Sequence, residues 1–353
     1  MQSANNHSSA TTAAAVAAAL PHLVVLGAGS IGCYLGILAA QSGLFQVSFI
    51  GRESLALDAA VYGFTAQNLE LRCYSLNSPA VFTSLEALRG ADLVLCTVKA
   101  VSLHSLLPEL GHYLRSDAEI IALQNGVAMQ SWYQQFLPLK VGRAIVPFNV
   151  VKAGPGLYTR TSGGAMVWSG PATTLQSRLM DALSATGLQS ELQPNILAAE
   201  LGKLLLNLNN AINALCGLPL RQQLQQRPYR LLLAGVMDEL LTLCRYRKLS
   251  LHRYTQVPNA ALPTVLRLPD GLFRVVASSM LAINPEARSS MWDDLQAGRQ
   301  TEIDYLNGAV VALAEEAGLK APLNQALVSL VRQKQQGQSV SLTPQQALQL
   351  LAL

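Results

Sequence analysis

A lone lysine interrupts one of the most apolar stretches of the chain. Lys203 lies in LGKLLLNLNN, whose leucines predict a helix that is buried on almost all sides. A lysine ammonium at hydrogen-bond distance from a reacting oxygen could act as a general acid, because it stabilises developing negative charge and delivers a proton. Burial should lower the pKa of this lysine towards working pH. A lysine that snorkels along apolar surface is the structural alternative.

Two asparagines follow Lys203 at helical spacing. Asn207 and Asn210 come four and seven residues later, which places the three side chains on one face of a helix. Such a polar stripe on a leucine-rich helix predicts the wall of a cleft. Asparagines bonded to backbone within a core are the alternative, and for Asn210 the sequence favours neither reading.

A glycine-rich turn points to a cofactor. The apolar run HLVVL predicts a strand, and GAGSIG follows it directly and opens a helix that we expect to be amphipathic. The glycines allow a tight turn, close approach to a pyrophosphate and close helix packing, and the helix N-terminus favours a diphosphate. A turn without a ligand is the alternative. We expect dinucleotide contacts along the whole turn, from Gly27, Ala28, Gly29, Ser30, Ile31 and Gly32.

The end of the second apolar run bears on the choice of cofactor. Arg52 stands about where an NAD-binding protein places the acid that binds the ribose. A cation at this position favours the 2′-phosphate of NADP. Glu53 provides the competing interpretation, since an acid one residue later would suit the ribose hydroxyls of NAD. A solvated charge at a strand end is the structural alternative.

The pattern over 21–194 predicts a Rossmann-like dinucleotide-binding domain. Short apolar runs alternate with helical stretches, which is typical of a parallel sheet with helices on both faces. Lys99 and Asn125 follow two of these runs, at the carboxyl ends of strands, where ligands bind in such sheets. The runs GLYTR and GGAMVWSG predict a hairpin at the end of the sheet, with its turn at 161–164.

After Asn195 the pattern changes to long Leu/Ala-rich segments, which predict an all-helical domain over 195–335. Its longer helices are expected at about 195–214, 228–248, 272–282 and 301–317. The fold class is therefore α/β, with an N-terminal Rossmann-like domain followed by an all-helical C-terminal domain. Residues 1–20 predict a mobile extension. The tail over 336–353 contains Thr343 and Pro344, which predict the start of one short helix.

Composition excludes several classes of protein. Half of the 353 residues are hydrophobic and 13% are charged, which excludes a disordered chain. The net charge of +4 is spread without a basic block, so no nucleic-acid partner is indicated. Spaced glycines in the uncharged stretch 23–40 argue against a membrane span, and five scattered cysteines indicate neither disulfides nor a metal site. We expect a cytoplasmic protein with a small-molecule partner, and the sequence allows a homodimer.

Four further segments, taken with the glycine-rich turn, resemble the ketopantoate reductase (2-dehydropantoate 2-reductase) family. Their order and spacing hold over about 22–332, and the last of them is the most specific. They are DLVLCTVKA with Lys99, ALQNGV with Asn125, AAELGKLLLNLNNAINAL with Lys203, and SSMWDDLQAGRQTEIDYLNG with Ser290 and Glu302.

This resemblance implies hydride transfer from NADPH to C2 of ketopantoate, giving D-pantoate for pantothenate and coenzyme A biosynthesis, in the cleft between two domains. It implies that Lys203 is the catalytic acid and that Glu302 binds the 4-hydroxyl of the substrate and contacts the cofactor. Ser290 would receive the substrate carboxylate. Read without the resemblance, Ser290 is a helix cap and Glu302 an acid that complements a helix dipole.

The resemblance also implies positions for the remaining polar residues. Lys99 would lie beside the adenosine half of the cofactor, and Asn125 beside the nicotinamide ribose and the substrate. Asn207 would contact the substrate. The stretch after it is longer than the family's usual spacing, so Asn210, Asn213 or neither fills the second asparagine position.

Two other functions fit the same residues. A relative that reduces another branched 2-keto acid needs the same lysine and carboxylate site, and Glu302 separates the two because a buried acid that bonds a hydroxyl rejects substrates lacking it. A non-catalytic NADPH-binding sensor needs only the glycine-rich turn. Retention of Lys203, Ser290 and Glu302 together argues against the sensor.

Overall fold

The computed structural model describes residues 19–281 and 284–352, without the side chains of 279 and 280. The mobile extension predicted for 1–20 therefore lies outside the described residues, except for its last two. Twelve strands occur in the described part: β1 (His22–Leu26), β2 (Gln46–Ile50), β3 (Phe64–Gln67), β4 (Cys73–Leu76), β5 (Ala80–Phe82), β6 (Leu93–Cys96), β7 (Glu119–Ala122), β8 (Lys140–Ile145), β9 (Val150–Gly154), β10 (Leu157–Arg160), β11 (Met166–Ser169) and β12 (Ser190–Gln193).

Helices connect these strands and make up the second half of the chain. In chain order they are α1 (Ser30–Gln41), α2 (Glu53–Tyr62), α3 (Ala100–Leu110), α4 (Met129–Phe136), α5 (Thr174–Ser184), α6 (Ile196–Asn207), α7 (Asn209–Cys216), α8 (Leu220–Gln225), α9 (Arg227–Tyr246), α10 (Leu262–Arg267), α11 (Asp270–Val276), α12 (Ser278–Leu281), α13 (Ser290–Gln296), α14 (Asn307–Glu316), α15 (Pro322–Gln335) and α16 (Pro344–Leu350).

The main sheet has eight strands in the order β12, β11, β8, β7, β6, β1, β2, β5. All neighbours from β8 to β5 are parallel, and β11 joins the sheet antiparallel to β8. Strand β1 lies near the centre and is apolar on both faces. Leu23 and Val25 pack into one core with α1, whereas Val24 and Leu26 pack into another with α3. The predicted fold class, a parallel sheet with helices on both faces followed by a helical region, is confirmed.

Helix α1 lies between two sheets. A second, four-stranded sheet has the order β4, β3, β10, β9, and α1 packs against all four of its strands as well as against β1 and β2. The eight consecutive residues from Gly32 to Ala39 are all buried. The prediction that this helix is amphipathic is therefore wrong, because the second sheet covers the face that would otherwise meet solvent.

The predicted hairpin of GLYTR and GGAMVWSG is also wrong. Strand β10 pairs with β9 and with β3 in the small sheet, whereas β11 pairs with β8 and β12 in the main sheet. The stretch 161–165 between them crosses from one sheet to the other. Leu157 of β10 is paired with Thr65, a partner so distant in the chain that local spacing gives no sign of it.

The described part of 195–335 contains helices joined by turns and loops and no strand, and α9 packs against α8, α10, α14, α15 and α16. Three predicted helices are divided, and the one expected at 272–282 is interrupted at Ala277, between α11 and α12. The helix expected at 195–214 is interrupted at Leu208, a turn residue with helical backbone angles between α6 and α7. The helix expected at 301–317 begins as a 3-10 turn at Ile303–Tyr305, before α14.

The tail contributes the short helix that the sequence predicts. Helix α16 begins after Thr343, whose hydroxyl accepts a hydrogen bond from the backbone of Gln346 while the Gln346 side chain bonds back to Thr343. Ala347 is fully buried against α9. No helix within the described ranges is long and apolar enough to span a membrane.

Candidate active site

The glycine-rich turn joins β1 to α1 at the carboxyl end of the main sheet. Gly27 has φ +84°, and a Cβ atom there would lie 2.6 Å from the backbone nitrogen of Val98, so only glycine fits. The N–H groups of Gly27 and Ala28 both donate to the carbonyl of Ile50, at 3.1 and 2.9 Å. The Thr97 hydroxyl donates to the Gly27 carbonyl at 2.7 Å. The turn is thus held by the two strands that flank β1.

The turn leaves room for a diphosphate. A Cβ atom on Gly29 would meet nothing closer than the Gly27 carbonyl at 3.9 Å, so open space lies before the first turn of α1. Gly29 is the N-cap of α1, and no side chain caps the helix. The first N–H groups of α1, beginning with Ser30 and Ile31, are therefore directed at this space, where an anion is favoured. This cradle fits a dinucleotide.

Arg52 follows β2 and precedes α2, at the same edge of the sheet as the glycine-rich turn. Its side chain is exposed and makes no hydrogen bond or ion pair with the described residues. Glu53, the competing candidate, is exposed in the first turn of α2. Both side chains are therefore free to meet a cofactor bound along the carboxyl edge.

Lys99 lies at the N-cap of α3 and reaches across to the helical region. Its ammonium contacts both carboxylate oxygens of Asp294 at 2.5 Å, and Arg299 donates to the same carboxylate at 2.9 Å. The Asp294 side chain is 3% exposed, whereas that of Lys99 is 43% exposed. Lys99 therefore keeps an exposed flank while its charge joins the two parts of the chain.

Glu302 stands at the centre of a polar array between the sheet and the helices. One of its carboxylate oxygens accepts the backbone N–H of Ala100, at the start of α3, at 3.3 Å. The other accepts the Asn125 amide at 3.0 Å, and Asn207 donates to the Asn125 oxygen at 3.3 Å. The dipole that Glu302 complements thus belongs to α3 and not to its own helix.

Burial and hydrogen bonding act in opposite directions on the pKa of Glu302. Burial raises the pKa of this carboxyl above its ordinary value, and the hydrogen bonds from Asn125 and Ala100 oppose that shift without cancelling it. Lys99, paired with Asp294, adds only a small stabilisation of the charge.

Lys203 lies on α6 beside a small cavity at the end of β7. The cavity is lined by Asn125, Gly126, Ile145, Val146 and Lys203 among others. The Lys203 ammonium makes no hydrogen bond to the described part of the chain. Burial lowers its pKa to about 8. The lysine is thus a cation without a counter-ion, directed at a space next to the Glu302 array.

A buried ion pair lies one helical turn before Lys203. The Arg143 guanidinium, on β8, donates to the Glu200 carboxylate at 2.7 Å, and the two side chains are 1% and 3% exposed. The second carboxylate oxygen accepts the backbone N–H of Ala128 at 2.9 Å. Both side chains line the cavity that Lys203 faces.

The remaining predicted residues differ in burial: Asn213 lies in the core, whereas Asn210 and Ser290 are accessible to solvent. Asn213 is fully buried and bonds to Leu218, Gln223 and the backbone N–H of Ser289, so it is a structural residue. Asn210 is half-buried, and its side chain is not bonded to any described residue. The cap of α13 is Ser289, which accepts from the backbone of Trp292, whereas Ser290 is exposed at the first helical position. The helix-cap interpretation of Ser290 is therefore wrong by one residue.

Sequence reasoning missed four residues of this region. One is Asp294, which holds Lys99 at the edge of the cleft. Thr97, Arg143 and Glu200 carry no motif, because each acts through a partner distant in the chain. Their signal in the sequence is weak: Arg143 and Glu200 are charged residues within otherwise apolar segments, as is Lys203.

A glycine-rich turn at the carboxyl end of a parallel sheet, together with a half-buried lysine and a buried carboxyl from the helical region, defines a dinucleotide-dependent oxidoreductase. Family comparison agrees. The ketopantoate reductase PanE/ApbA model matches residues 23–172, and the ketopantoate reductase PanE/ApbA C-terminal model matches residues 195–335. The chain belongs to the ketopantoate reductase family, whose members use a nicotinamide cofactor.

Individual relatives match this chain over about nine-tenths of its length. The 2-dehydropantoate 2-reductase of Archaeoglobus fulgidus is 26% identical over 328 residues, covering 89% of this chain and 97% of the relative. A PanE/ApbA family ketopantoate reductase from Ralstonia eutropha has a TM-score of 0.76 at 26% identity, over 90% of this chain and 99% of that chain. A D-mandelate dehydrogenase solved with NADH and anilino(oxo)acetate shares the fold, with a TM-score of 0.70 at 21% identity over 89% of this chain and 99% of that chain.

Proposed function

We propose that this protein reduces ketopantoate to D-pantoate with NADPH, in pantothenate and coenzyme A biosynthesis. The observation that carries the proposal is the position of Lys203, a lysine with a pKa of about 8 beside a cavity that also contains Asn125. Family membership supports the reaction type, and the relatives named above support the substrate.

The bound cofactor supplies a hydride to the ketone carbon, and the protein supplies the proton. Lys203, in its ammonium form, hydrogen-bonds the ketone oxygen and donates a proton to it as negative charge develops. The neutral amine that remains is tolerated because burial already disfavours the charged form. A proton from solvent then restores the ammonium.

The polar residues around Lys203 are assigned to the substrate and the nicotinamide half of the cofactor. Asn125 and Asn207 are joined in one hydrogen-bonded chain to Glu302, which keeps its carboxyl within the cleft and ready for a substrate hydroxyl and the cofactor. The exposed Ser290 and the open Asn210 are assigned to the substrate, with Ser290 at its carboxylate.

The cofactor assignment rests on exposed cations at the carboxyl edge of the sheet. Arg52 is assigned to the 2′-phosphate of NADPH, because it is exposed and unbonded to the described residues beside the glycine-rich turn. Lys99, with its exposed flank, is assigned to the adenosine half. We further propose a cytoplasmic enzyme without a nucleic-acid, membrane or metal partner. A homodimer is compatible with the chain.

One panel of assays tests the function. Oxidation of NADPH and NADH is followed with ketopantoate and with 2-keto acids that lack the 4-hydroxyl, such as ketoisovalerate. We expect NADPH and ketopantoate to give the highest kcat/KM. A preference for another branched 2-keto acid would assign the protein to that substrate, and absence of oxidation with every acid would favour a sensor.

The same panel tests Arg52. Arg52→Ala is expected to raise the KM for NADPH strongly and to leave that for NADH nearly unchanged, because only NADPH carries the 2′-phosphate. Arg245→Ala, which removes an exposed arginine near the end of α9, is the control for loss of surface charge. Equal losses with both cofactors would remove Arg52 from the 2′-phosphate site.

A further inference from the structure

Lys203 has an acidic neighbour with which it does not pair. Glu200 precedes it by three residues on α6, a spacing at which lysine and glutamate commonly attract each other. The Glu200 carboxylate is occupied instead: Arg143 binds one oxygen at 2.7 Å, and the Ala128 N–H binds the other at 2.9 Å. The acid closest to Lys203 along its own helix is thus bonded to another cation.

Arg143 is held as firmly as the carboxylate that it binds. Its guanidinium donates to the carbonyls of Ala122 and Ala144, at 2.7 and 2.8 Å, and to the carbonyl of Gln124. Gln124 precedes Asn125, so the same guanidinium fixes the backbone of the loop that carries Asn125. Three backbone acceptors and one carboxylate leave Arg143 little freedom to release Glu200.

Other titratable groups lie around α6, and none of them is paired with Lys203. Tyr254 donates to the carbonyl of Ala199, and burial raises the pKa of its hydroxyl, so it stays neutral. His252 packs its backbone against Gly202 and pairs its ring with Glu191 at 3.1 Å. Glu302 reaches α6 only through the amide of Asn125, which donates to Glu302 and accepts from Asn207 at the end of α6.

We propose that Arg143 is a positioning residue for catalysis: it binds Glu200 so that this carboxylate does not pair with Lys203, which leaves the lysine a free proton donor. The Arg143–Glu200 pair has no net charge, so α6 packs against the sheet without placing an unpaired carboxylate beside Lys203. This role rests on the proposed function only for its effect on turnover. Its effect on the ionisation of Lys203 is independent of any substrate.

Two single substitutions have opposite expected effects. Arg143→Gln leaves the Glu200 carboxylate without its cation, so the pKa of Lys203 should rise. Glu200→Gln leaves the Arg143 charge unbalanced beside the cavity, so the pKa of Lys203 should fall. With unit charges about one helical turn apart and an effective dielectric constant of about 20, each shift is about two pH units. The double variant Arg143→Gln/Glu200→Gln should return to the wild-type value.

The direct measurement is an NMR titration of the whole protein labelled with 13Cε-lysine, without substrate. The chain has seven lysines, and the Lys203 signal is identified by its loss in Lys203→Arg. His252→Gln is the control, because His252 contacts α6 through its backbone while its ring pairs with Glu191, so loss of the imidazole should leave the titration nearly unchanged. This readout stands even if the proposed substrate is wrong.

Kinetics provides the second readout. The high-pH limb of kcat should move to higher pH in Arg143→Gln and to lower pH in Glu200→Gln, since the protonated lysine is the active form. Arg143→Lys retains the charge and should keep the wild-type limb with a lower kcat, because an ammonium lacks the guanidinium fork. Circular dichroism at each pH checks that the variants remain folded.

Removal of one partner of a buried pair is destabilising, so one single variant could fail to fold. The sign expected for the other single variant, and the return to the wild-type titration in the double variant, are separate tests. If both single variants shift Lys203 in the same direction, or neither shifts it, Arg143 is a structural residue and the proposal is overturned.

Discussion

At the scale of the residue, the acidity of Lys203 comes from its surroundings and not from a charged neighbour. Burial is what lowers its pKa to about 8. A general acid works best when its pKa lies near the working pH, so the same burial that makes the charge unfavourable makes the proton available. Burial acts on Glu302 in the opposite direction and raises the pKa of its carboxyl above the ordinary value.

Removal of the ammonium should impair chemistry and not cofactor binding. Lys203→Ala is expected to lower kcat by roughly 10²-fold or more, the usual contribution of a positioned acid. NADPH affinity, measured by fluorescence titration, should change little. In the wild-type protein kcat should fall as pH rises through about 8, because deprotonation removes the acid.

The control for Lys203 is another lysine whose pKa is lowered by burial. Lys334, on α15, donates to the carbonyl of Ala214, away from the cleft residues described above. Lys334→Ala should retain kcat and its pH dependence. A Lys203→Ala protein with near-native kcat would remove this residue from the reaction.

Glu302 determines substrate choice if its carboxyl binds the 4-hydroxyl. Glu302→Ala should cost about 1.5 to 3 kcal/mol in transition-state stabilisation with ketopantoate, the contribution of a hydrogen bond to a charged group. A 2-keto acid without the hydroxyl never made that bond and should lose less. The ratio of kcat/KM for ketopantoate and ketoisovalerate reports the difference directly.

Glu302 also holds Asn125 and the start of α3, so its substitution needs two comparisons. Glu302→Gln keeps an acceptor for the Asn125 amide and separates geometry from charge. Asp304→Ala removes a nearby carboxylate that pairs with Arg332 at the surface and should leave selectivity intact. If both substrates lose activity equally in Glu302→Ala, the residue supports the fold or the cofactor instead.

At the scale of the element, the glycines of the cofactor turn have separable roles. A Cβ atom on Gly32 would lie 2.4 Å from the Thr97 hydroxyl and 3.0 Å from Val25, whereas one on Gly29 would point into open space. Gly32 therefore allows α1 to pack on the sheet. Gly29 leaves the open space that we assign to a diphosphate.

These roles give a matched pair of variants. Gly32→Ala should lower the Tm in the absence of cofactor, because α1 must move away from β1 or Thr97 must shift. Gly29→Ala should keep the Tm of the apo protein and weaken NADPH binding, measured by fluorescence titration. Equal Tm losses in the two variants would contradict the assignment of the open space to the cofactor.

The elements that sequence predicts well are those with local signals. The turn GAGSIG lies between β1 and α1 as expected, and α16 begins at its Thr-Pro cap, because both signals are contained within a few residues. The second sheet was missed because β3 and β10 are joined by non-local pairing, such as Thr65 with Leu157.

For the candidate site, the sequence identifies the functional residues but not the residues that they contact. Lys203, Asn125 and Glu302 could be chosen from the sequence because their polar groups follow or interrupt apolar runs. The contacts among these residues could not be predicted from the sequence. Glu302 bonds to the backbone of Ala100, 202 residues away, and no local pattern records such a contact.

At the scale of the whole molecule, the burial of Lys203 connects activity with stability. Its pKa is lower in the folded protein than the ordinary value of 10.5. Between about pH 8 and 10.5 the folded state therefore binds fewer protons than the unfolded state. The free energy of unfolding therefore rises across this range. At pH 7 the buried ammonium is destabilising, on the order of 1 to 3 kcal/mol.

Lys203→Met should consequently give a more stable and inactive protein. The gain in free energy of unfolding, measured by urea denaturation, should be largest below pH 8 and should shrink as pH rises towards 10.5, because the wild-type protein then loses the same charge. The control Lys334→Met should give a smaller gain. A gain for Lys203→Met that is independent of pH would show that packing, and not ionisation, is responsible.

Because β1 is buried on both faces, hydrophobicity alone does not fix the register of this strand in the sheet. Both faces of the strand are apolar, so a slip of one residue would exchange Leu23 and Val25 for Val24 and Leu26 at little hydrophobic cost. The slip is opposed at the end of the strand, where only a residue without a Cβ fits beside Val98. A shifted strand would bring Leu26 or Ala28 to that point. Gly27 thus fixes the register of the central strand in the sheet as well as the tight turn from which the proposed cofactor site begins.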